Sequence, residues 1–216
     1  MVISAPAKIE YLDEFNACNG DKYLEHILEM KDPSEFIDHR WRLIEKYSFA
    51  VPNLAALGCI AKYGPIIEIG AGRGYWAMLL KEMGVDIIAV DKKITRKNYA
   101  SFREGKSGRT GQPVEVIEFT EIEDGHENTI LDYPDRNLLL CWPPYAEPMA
   151  LNCIRLLRSE YLIYVGEGWG GCTGCDDFGE LINNENYFEL VDEVNIPQWE
   201  GIHDYLYVYR NKMKRQ

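Results

Sequence analysis

An acid, three glycines and a second acid stand close together in this chain, at a spacing that suits a nucleoside site. Glu68 comes two residues before Gly70, which opens the pattern Gly-x-Gly-x-Gly, and Asp91 follows further along. Glycines let the backbone turn tightly and approach a ligand closely. An acid at the end of a strand can accept hydrogen bonds from both hydroxyls of a ribose. These residue types therefore predict nucleoside binding.

The segments around these residues predict the elements that position them. Residues 65–69 form a short apolar run, as a buried parallel strand would show, and residues 77–83 predict a helix that ends at Gly84. Residues 86–90 predict a second strand, which Asp91 closes. The spacing argues against a dinucleotide fold, because Tyr75 holds the place of that fold's third glycine. A glycine turn in another kind of α/β domain is the remaining alternative.

The residues Glu68 to Gly74 resemble the first motif of the class I, Rossmann-like methyltransferases that use S-adenosylmethionine (SAM). That motif is an acid, any residue and then Gly-x-Gly-x-Gly, and Asp91 resembles the acid that ends the family's next strand. The resemblance implies that the glycines line the methionine and ribose of SAM, that Glu68 helps to hold the methionine ammonium, and that Asp91 binds the ribose hydroxyls. The cofactor-binding residues that it implies are Glu68, Gly70, Ala71, Gly72, Gly74, Asp91, Lys92, Thr120 and Cys141.

The resemblance also implies an α/β fold: a seven-stranded, mostly parallel Rossmann-like sheet with an antiparallel last strand and helices on both faces. Apolar residues that recur at helical spacing within residues 8–62 predict a helical N-terminal extension. The third to seventh strands are predicted at residues 113–119, 137–140, 161–165, 188–196 and 205–210. We expect one compact domain in which residues 1–62 form a helical extension or lid and residues 63–216 form the SAM-binding core. Residues 47–50 belong either to a brace on the sheet or to a segment that closes over the cofactor.

A second informative site follows the predicted fourth strand, where the chain reads Cys141-Trp142-Pro143-Pro144-Tyr145. It resembles the Asp/Asn-Pro-Pro-Tyr motif of amino-methylating members of the class, in which the polar side chain and the first proline's carbonyl accept hydrogens from the target amino group. Trp142 holds the polar position, and an indole N–H donates but cannot accept. Methylation of adenine, cytosine or a glutamine amide is therefore disfavoured. The Pro143 carbonyl and the aromatic faces remain for a planar or cationic substrate, unless the segment is only a stiff turn.

Two further segments are predicted to reach the same edge of the sheet: the glycine-rich residues 166–175 and the connection 197–204. Glu167 or His203 is a candidate proton acceptor, although His203 could equally lack any chemical role. The predicted catalytic residues are Pro143, Tyr145, Glu167 and His203, and the predicted substrate-binding residues are Trp142, Pro144, Tyr145, Trp169 and Trp199. Cys172 and Cys175 lack the further ligands that a zinc site needs, so no metal is predicted.

Charge and composition narrow the class of partner. The formal net charge of −12 disfavours nucleic acid and anionic membranes. Residues 92–109 are an exception, with seven Lys and Arg residues against one acid, and they read either as a solvated segment or as an anion site. The absence of a membrane-length apolar run, the absence of a signal-like start and the scattered cysteines lead us to expect a cytoplasmic protein.

The sequence thus predicts an enzyme that transfers a methyl group from SAM to a small molecule, or as a second choice to a protein side chain, and leaves S-adenosylhomocysteine (SAH). Two alternatives stay open: an amino-group methyltransferase acting on a nucleic acid base, and a non-catalytic protein that binds SAM or SAH. The identity of the acceptor, its reacting atom and the oligomeric state are not fixed by the sequence.

Overall fold

The computed structural model describes residue 6 and residues 8–19, 34–92 and 118–213. Its strands are β1 (Ile66–Ile69), β2 (Ile87–Asp91), β3 (Glu123–Asp124), β4 (Asn137–Cys141), β5 (Tyr161–Glu167), β6 (Phe188–Asn195) and β7 (Asp204–Asn211). They form a seven-stranded sheet in the order β3-β2-β1-β4-β5-β7-β6. Strand β7 runs antiparallel to β5 and β6, and the other pairings are parallel. The predicted α/β fold, with seven strands and an antiparallel last strand, is confirmed.

The third strand differs from the prediction. The residues that pair with β2 are Glu123 and Asp124 rather than residues 113–119. Residues 113–117 lie outside the described part of the chain, and Phe119 is not in a strand. The backbone N–H of Phe119 donates to the Arg73 carbonyl oxygen at 2.9 Å, and its ring packs against Tyr75 at 4.8 Å between ring centroids. Tertiary packing on the glycine turn therefore sets the position of Phe119.

Helices cover both faces of the sheet. They are α1 (Glu10–Asn19), α2 (Ser34–Lys46), α3 (Leu54–Ala61), α4 (Tyr75–Glu82), a 3-10 helix (Glu127–Asp132), α5 (Met149–Leu156) and α6 (Asp176–Ile182). One apolar core gathers side chains of α1 to α4 against the sheet, and a second gathers those of α5 and α6. No helix in the described ranges is long and apolar enough to cross a membrane.

The two N-terminal helices belong to the first of these cores. Tyr11 of α1 is buried and stacks on Tyr47 with 4.9 Å between ring centroids. Its hydroxyl accepts a hydrogen bond from the Trp199 indole N–H at 3.2 Å, and its backbone N–H donates to the Tyr75 hydroxyl at 3.2 Å. These contacts join α1 to α4 and to the connection between β6 and β7. The division into a 1–62 extension and a 63–216 core stays a prediction.

Candidate cofactor and acceptor site

A cavity of about 430 Å³ lies where β1, β2 and β4 end. The carboxyl ends of parallel strands meet there, and the strand order reverses between β1 and β4, which is where open α/β sheets bind ligands. The wall is formed by Ile44, Glu45, Tyr47, Ser48, Phe49, Glu68, Ile69, Gly70, Ala71, Gly72, Arg73, Tyr75, Trp76, Asp91, Lys92, Gly125, His126, Glu127, Cys141, Trp142, Pro144, Tyr145, Glu147 and Met149.

The glycine turn between β1 and α4 uses a conformation that side chains rarely adopt. Gly70, Gly72 and Gly74 have φ angles of +77°, +59° and +75°. A Cβ on Gly72 would meet no protein atom within 4 Å, because this residue opens onto the cavity. A Cβ on Gly74 would lie 2.7 Å from the Thr120 side chain, so Gly74 is a packing position outside the wall. Only part of the glycine motif therefore faces the cavity.

Asp91 ties the end of β2 to this turn. Its Oδ2 accepts a hydrogen bond from the backbone N–H of Gly72 at 2.7 Å. The second acid of the motif and the middle glycine are thus neighbours in space as well as parts of one sequence pattern. Both line the cavity together with Lys92, which the sequence also predicted as a cofactor residue.

Glu68 is a carboxylic acid enclosed at the floor of the cavity. It is 1% exposed. Burial and, to a lesser extent, the neighbouring Asp91 charge raise the pKa of its carboxyl to about 8. Its Oε2 has no hydrogen-bond partner among the described residues. An acid in such a place is stabilised as a carboxylate when a cation enters the cavity. This unpartnered oxygen fits the ammonium group that the sequence resemblance implies for Glu68.

The turn after β4 presents an aromatic face to the cavity. Trp142 has φ +52°, which is uncommon for a bulky residue. Its indole N–H donates to Asp204 Oδ1 at 2.9 Å, and its ring stacks on Phe49 with centroids 4.8 Å apart and planes 10° apart. Asp204 is 1% exposed, and burial raises the pKa of its carboxyl to about 7. Asp204 and Phe49, from distant parts of the chain, therefore hold the Trp142 side chain in place although its backbone is strained.

The prolines of this turn have different surroundings. The Pro143 carbonyl accepts a hydrogen bond from the Gly174 N–H at 3.0 Å, and Pro143 is buried outside the cavity wall. Pro144 lines the cavity, and Tyr145, which is 67% exposed, lies at its rim. The sequence left the Pro143 carbonyl as a contact for the substrate, but the structure points it at the glycine-rich loop after β5.

Glu167 and His203 are neighbours, but neither reaches the cavity wall. The carboxylate of Glu167 accepts the Cys172 N–H at 2.7 Å and the His203 N–H at 2.9 Å. Burial acts to raise the pKa of Glu167, but the hydrogen bonds from Cys172 and His203 outweigh it and the pKa is lowered. In this structure Glu167 joins two loops and does not line the cavity.

Three other predicted residues also lie outside the wall. Trp169 is 64% exposed and packs on Gly179 of α6. Trp199 is buried against α1, where its ring meets Phe15 with 4.9 Å between centroids. Thr120 accepts a hydrogen bond from Lys81 Nζ at 2.8 Å. Apart from these three residues and Gly74, the predicted cofactor and substrate residues line one cavity, and their individual roles stay predictions.

The sequence reasoning missed several residues of the wall. Gly125, His126 and Glu127 follow β3 and line the cavity beside Asp91. The carboxyl end of a strand beside β2 was a usable signal, but the sequence did not indicate that Glu123 and Asp124 pair with β2. The sequence places Phe49 only within residues 47–50, either in a brace on the sheet or in a segment that closes over the cofactor, and its stacking on Trp142 has no local sequence signal. In the described ranges no group of three or more His, Cys, Asp or Glu residues is arranged to hold a metal ion.

Comparisons with known proteins give distant likenesses. No protein-family model and no curated protein sequence matches this chain. Among solved structures, TrmK of M. capricolum in complex with SAH is similar at 17% identity and TM-score 0.40, over 73% of this chain and 68% of that one. An rRNA methylase from Streptococcus thermophilus is similar at 15% identity and TM-score 0.40, over 74% and 96%. The mitomycin 7-O-methyltransferase MmcR is similar at 13% identity and TM-score 0.43, over 94% and 66%.

Proposed function

We propose that this protein is a SAM-dependent methyltransferase whose acceptor is a small molecule. The observation that carries the proposal is the buried Glu68 carboxyl, whose unpartnered oxygen shares a cavity with the Asp91–Gly72 pair. A buried acid without a partner is costly unless a ligand compensates for it. The α-ammonium of SAM is such a ligand, and the ribose hydroxyls of the same molecule suit Asp91.

The residues of the cavity fit the parts of SAM in order along the sheet. Glu68, on β1, would hold the ammonium, and the open backbone at Gly72 would lie against the methionine and ribose. Asp91, at the end of β2, would accept the ribose hydroxyls, and Gly125 and His126 would lie beside the adenine. The turn after β4 then faces the methyl group, because β4 lies on the other side of β1 from β2.

SAM supplies a methyl group that is already activated by its sulfonium, so the protein's part is chiefly to position the two reactants and exclude water. The wall formed by Tyr47, Phe49 and Trp142 is aromatic, and aromatic faces stabilise a neighbouring cation. A cavity of about 430 Å³ is in the range that binds one drug-sized ligand such as SAM, and we propose that a small acceptor enters beside it. A protein side chain is the second choice.

The proposal is tested by comparing two glycines with the same backbone strain. Gly72 and Gly84 have φ +59° and +83°, and a Cβ at either position meets nothing within 4 Å. Gly72 lines the cavity, whereas Gly84 follows α4 outside it. We expect Gly72→Ala to weaken SAM binding by at least about tenfold in calorimetry, because its methyl group occupies ligand space. Gly84→Ala should bind SAM as the wild type does.

Equal SAM affinity in the two variants would contradict the proposed cofactor site. A companion assay follows the methyl group of labelled SAM in the presence of a mixture of metabolites. Transfer of label to a metabolite is the expected result. SAM binding without any transfer to metabolites or proteins would instead favour a non-catalytic SAM-binding protein.

A further inference from the structure

Three rings form an aromatic wall on the β4 side of the cavity: Phe49, Trp142 and Tyr145. Phe49 and Trp142 are stacked on each other, and Tyr145 stands at the rim. The indole is held in one orientation by Asp204 and Phe49 despite its unfavourable φ angle. Strain maintained by several contacts at a cavity is a mark of a functional position. The aromatic wall is therefore a candidate for recognition of the acceptor.

The hydrogen-bonding groups that Trp142 and Pro143 bring to this turn already have partners within the protein. The Trp142 indole has one N–H, and it is donated to the buried Asp204 carboxyl. The Pro143 carbonyl accepts from Gly174, on the side away from the cavity. A flat amide or ring-amino group that depends on hydrogen bonds to this turn is poorly matched. What the aromatic wall offers an acceptor is the negative face of its π systems.

The charges around the cavity favour the same kind of ligand. Among the described residues that line it, two carry basic side chains, Arg73 and Lys92, and Arg73 donates to the Glu45 carbonyl oxygen. Four carry acids besides the buried Glu68, whose raised pKa keeps it protonated at neutral pH in the absence of a bound cation: Glu45, Asp91, Glu127 and Glu147. An excess of acidic groups in a concave site attracts cations and repels anions.

We propose that the methyl acceptor is a small aliphatic amine, recognised by the aromatic wall through the positive charge of its nitrogen. This inference rests on the proposed methyltransferase function. The amine loses a proton to solvent, and its lone pair then forms a bond to the methyl carbon of SAM. The carbon–sulfur bond breaks with its electron pair on sulfur, which leaves SAH and a methylated ammonium. Positive charge moves from sulfur to nitrogen, so the aromatic wall stabilises the charge that develops in the transition state.

An amine also suits the positions of the two candidate bases. Glu167 and His203 lie outside the cavity wall, and Glu167 is committed to backbone N–H groups. An alcohol or phenol acceptor would need a nearby group to take its proton during transfer, and neither Glu167 nor His203 is placed to do so. An amine that has lost its proton to water carries its own lone pair and needs no base in the wall.

The test uses three probes of nearly equal shape and different charge, each titrated by NMR into protein saturated with SAH. They are choline, 3,3-dimethylbutan-1-ol and 3,3-dimethylbutanoate. SAH binding is measured first by calorimetry, and its failure would contradict the proposed function rather than this inference. We expect choline to bind at least about fivefold more tightly than the neutral alcohol, and the anion to bind most weakly.

The preference for choline over the neutral alcohol should depend on the aromatic wall. Phe49→Leu and Trp142→Leu should each remove most of it, and Phe49→Leu serves as the informative variant if Trp142→Leu fails to fold. Tyr187→Leu is the matched control, since Tyr187 is exposed and precedes β6 at the edge of the sheet where the parallel strands begin. Absence of choline binding, equal binding of the alcohol, or tighter binding of the anion would each overturn the inference.

A second readout uses methyl-labelled SAM and a metabolite extract that has been separated by ion exchange into cationic, neutral and anionic fractions. Label should enter the cationic fraction and remain there after alkaline treatment that hydrolyses methyl esters. Label in the neutral or anionic fraction would contradict an amine acceptor. So would the absence of transfer to any fraction by protein that binds SAH normally.

Discussion

The Glu68 carboxyl is buried, and the surrounding chain offers few groups that compensate for its loss of hydration. Its place ahead of the glycines was predictable from the sequence, because the spacing is local. Its isolation was not, because the burial of β1 depends on how β2, β4 and the helices pack around it. The same holds for Gly74, which belongs to the motif but packs against Thr120 instead of facing the cavity.

The raised pKa of Glu68 gives stability a dependence on pH whose sign can be worked out. Between its ordinary pKa of 4.5 and about 8, the folded protein holds a proton that the unfolded chain has released. The folded state therefore binds more protons in this window, and its stability falls as the pH rises. Glu68→Gln removes this loss. We expect the free energy of unfolding of the variant, relative to that of the wild type, to rise by at least about 2 kcal/mol from pH 5 to pH 8.5.

Urea unfolding at the two pH values measures this difference. Glu82→Gln, which changes an exposed acid at the end of α4, is the matched control for the substitution itself. A constant difference between Glu68→Gln and the wild type across this range would show that Glu68 is already ionised in the folded protein. The same variant should bind SAM more weakly despite its greater stability, because the amide cannot carry the charge that the ammonium requires.

The turn after β4 combines features that the local sequence predicts with contacts made by distant residues. The sequence predicted its position, its Pro-Pro-Tyr run and the misfit of Trp142 with a hydrogen-bond acceptor. The contacts of Trp142 with Phe49 and Asp204 had no local signal, since strand order in the sheet decides which distant segments become neighbours. The pairing of Glu123 and Asp124 with β2 was missed for a similar reason, because this two-residue strand has no apolar pattern of its own.

Trp142→Asn tests whether this turn belongs to a base-methylating enzyme. The substitution removes a stacked ring and the donor to Asp204, so we expect a loss of about 3 kcal/mol of stability. We expect no methyl transfer to adenine-containing DNA or RNA. Urea unfolding and a filter assay with labelled SAM measure the two effects. Trp142→Phe, which keeps a ring for Phe49, should lose less stability.

A Trp142→Asn protein that folds normally and methylates nucleic acid would reverse the choice of substrate class. The existing contacts of the turn make that outcome unfavourable, because the Pro143 carbonyl would still be directed at Gly174. Restoration of one polar side chain therefore does not rebuild the pair of acceptors found in the amino-methylating motif.

At the scale of the whole molecule, the N-terminal helices are part of the same apolar core as the glycine turn. Tyr11 contacts Tyr47, Tyr75 and Trp199, which belong to three separate parts of the chain. The sequence predicted helices over this region from apolar periodicity. It did not predict which face of the sheet they cover, because the apolar face of an amphipathic helix does not specify the surface on which it packs.

Tyr11→Ala should therefore destabilise the entire fold. Truncation of a buried aromatic residue costs about 3 kcal/mol or more, and we expect one cooperative transition at a lower temperature by both fluorescence and circular dichroism. Tyr187→Ala, at an exposed position, should change stability by about 0.5 kcal/mol or less. If Tyr11→Ala left the main transition unchanged and loosened only the N-terminal helices, residues 1–62 would act as an independent lid.

The contact of Trp142 with both Phe49 and Asp204 has a consequence for how this protein can change during evolution. Replacing Trp142 alone leaves a buried carboxyl without its donor and an aromatic ring without its stacking partner. A protein with a change at one of these positions alone is then less stable than a protein with all of them changed or none. Positions 49, 142 and 204 should consequently be inherited as a set, and relatives with another acceptor should differ at all three. Such a set would classify relatives more reliably than the Pro-Pro-Tyr run, which can persist while the chemistry beside it changes.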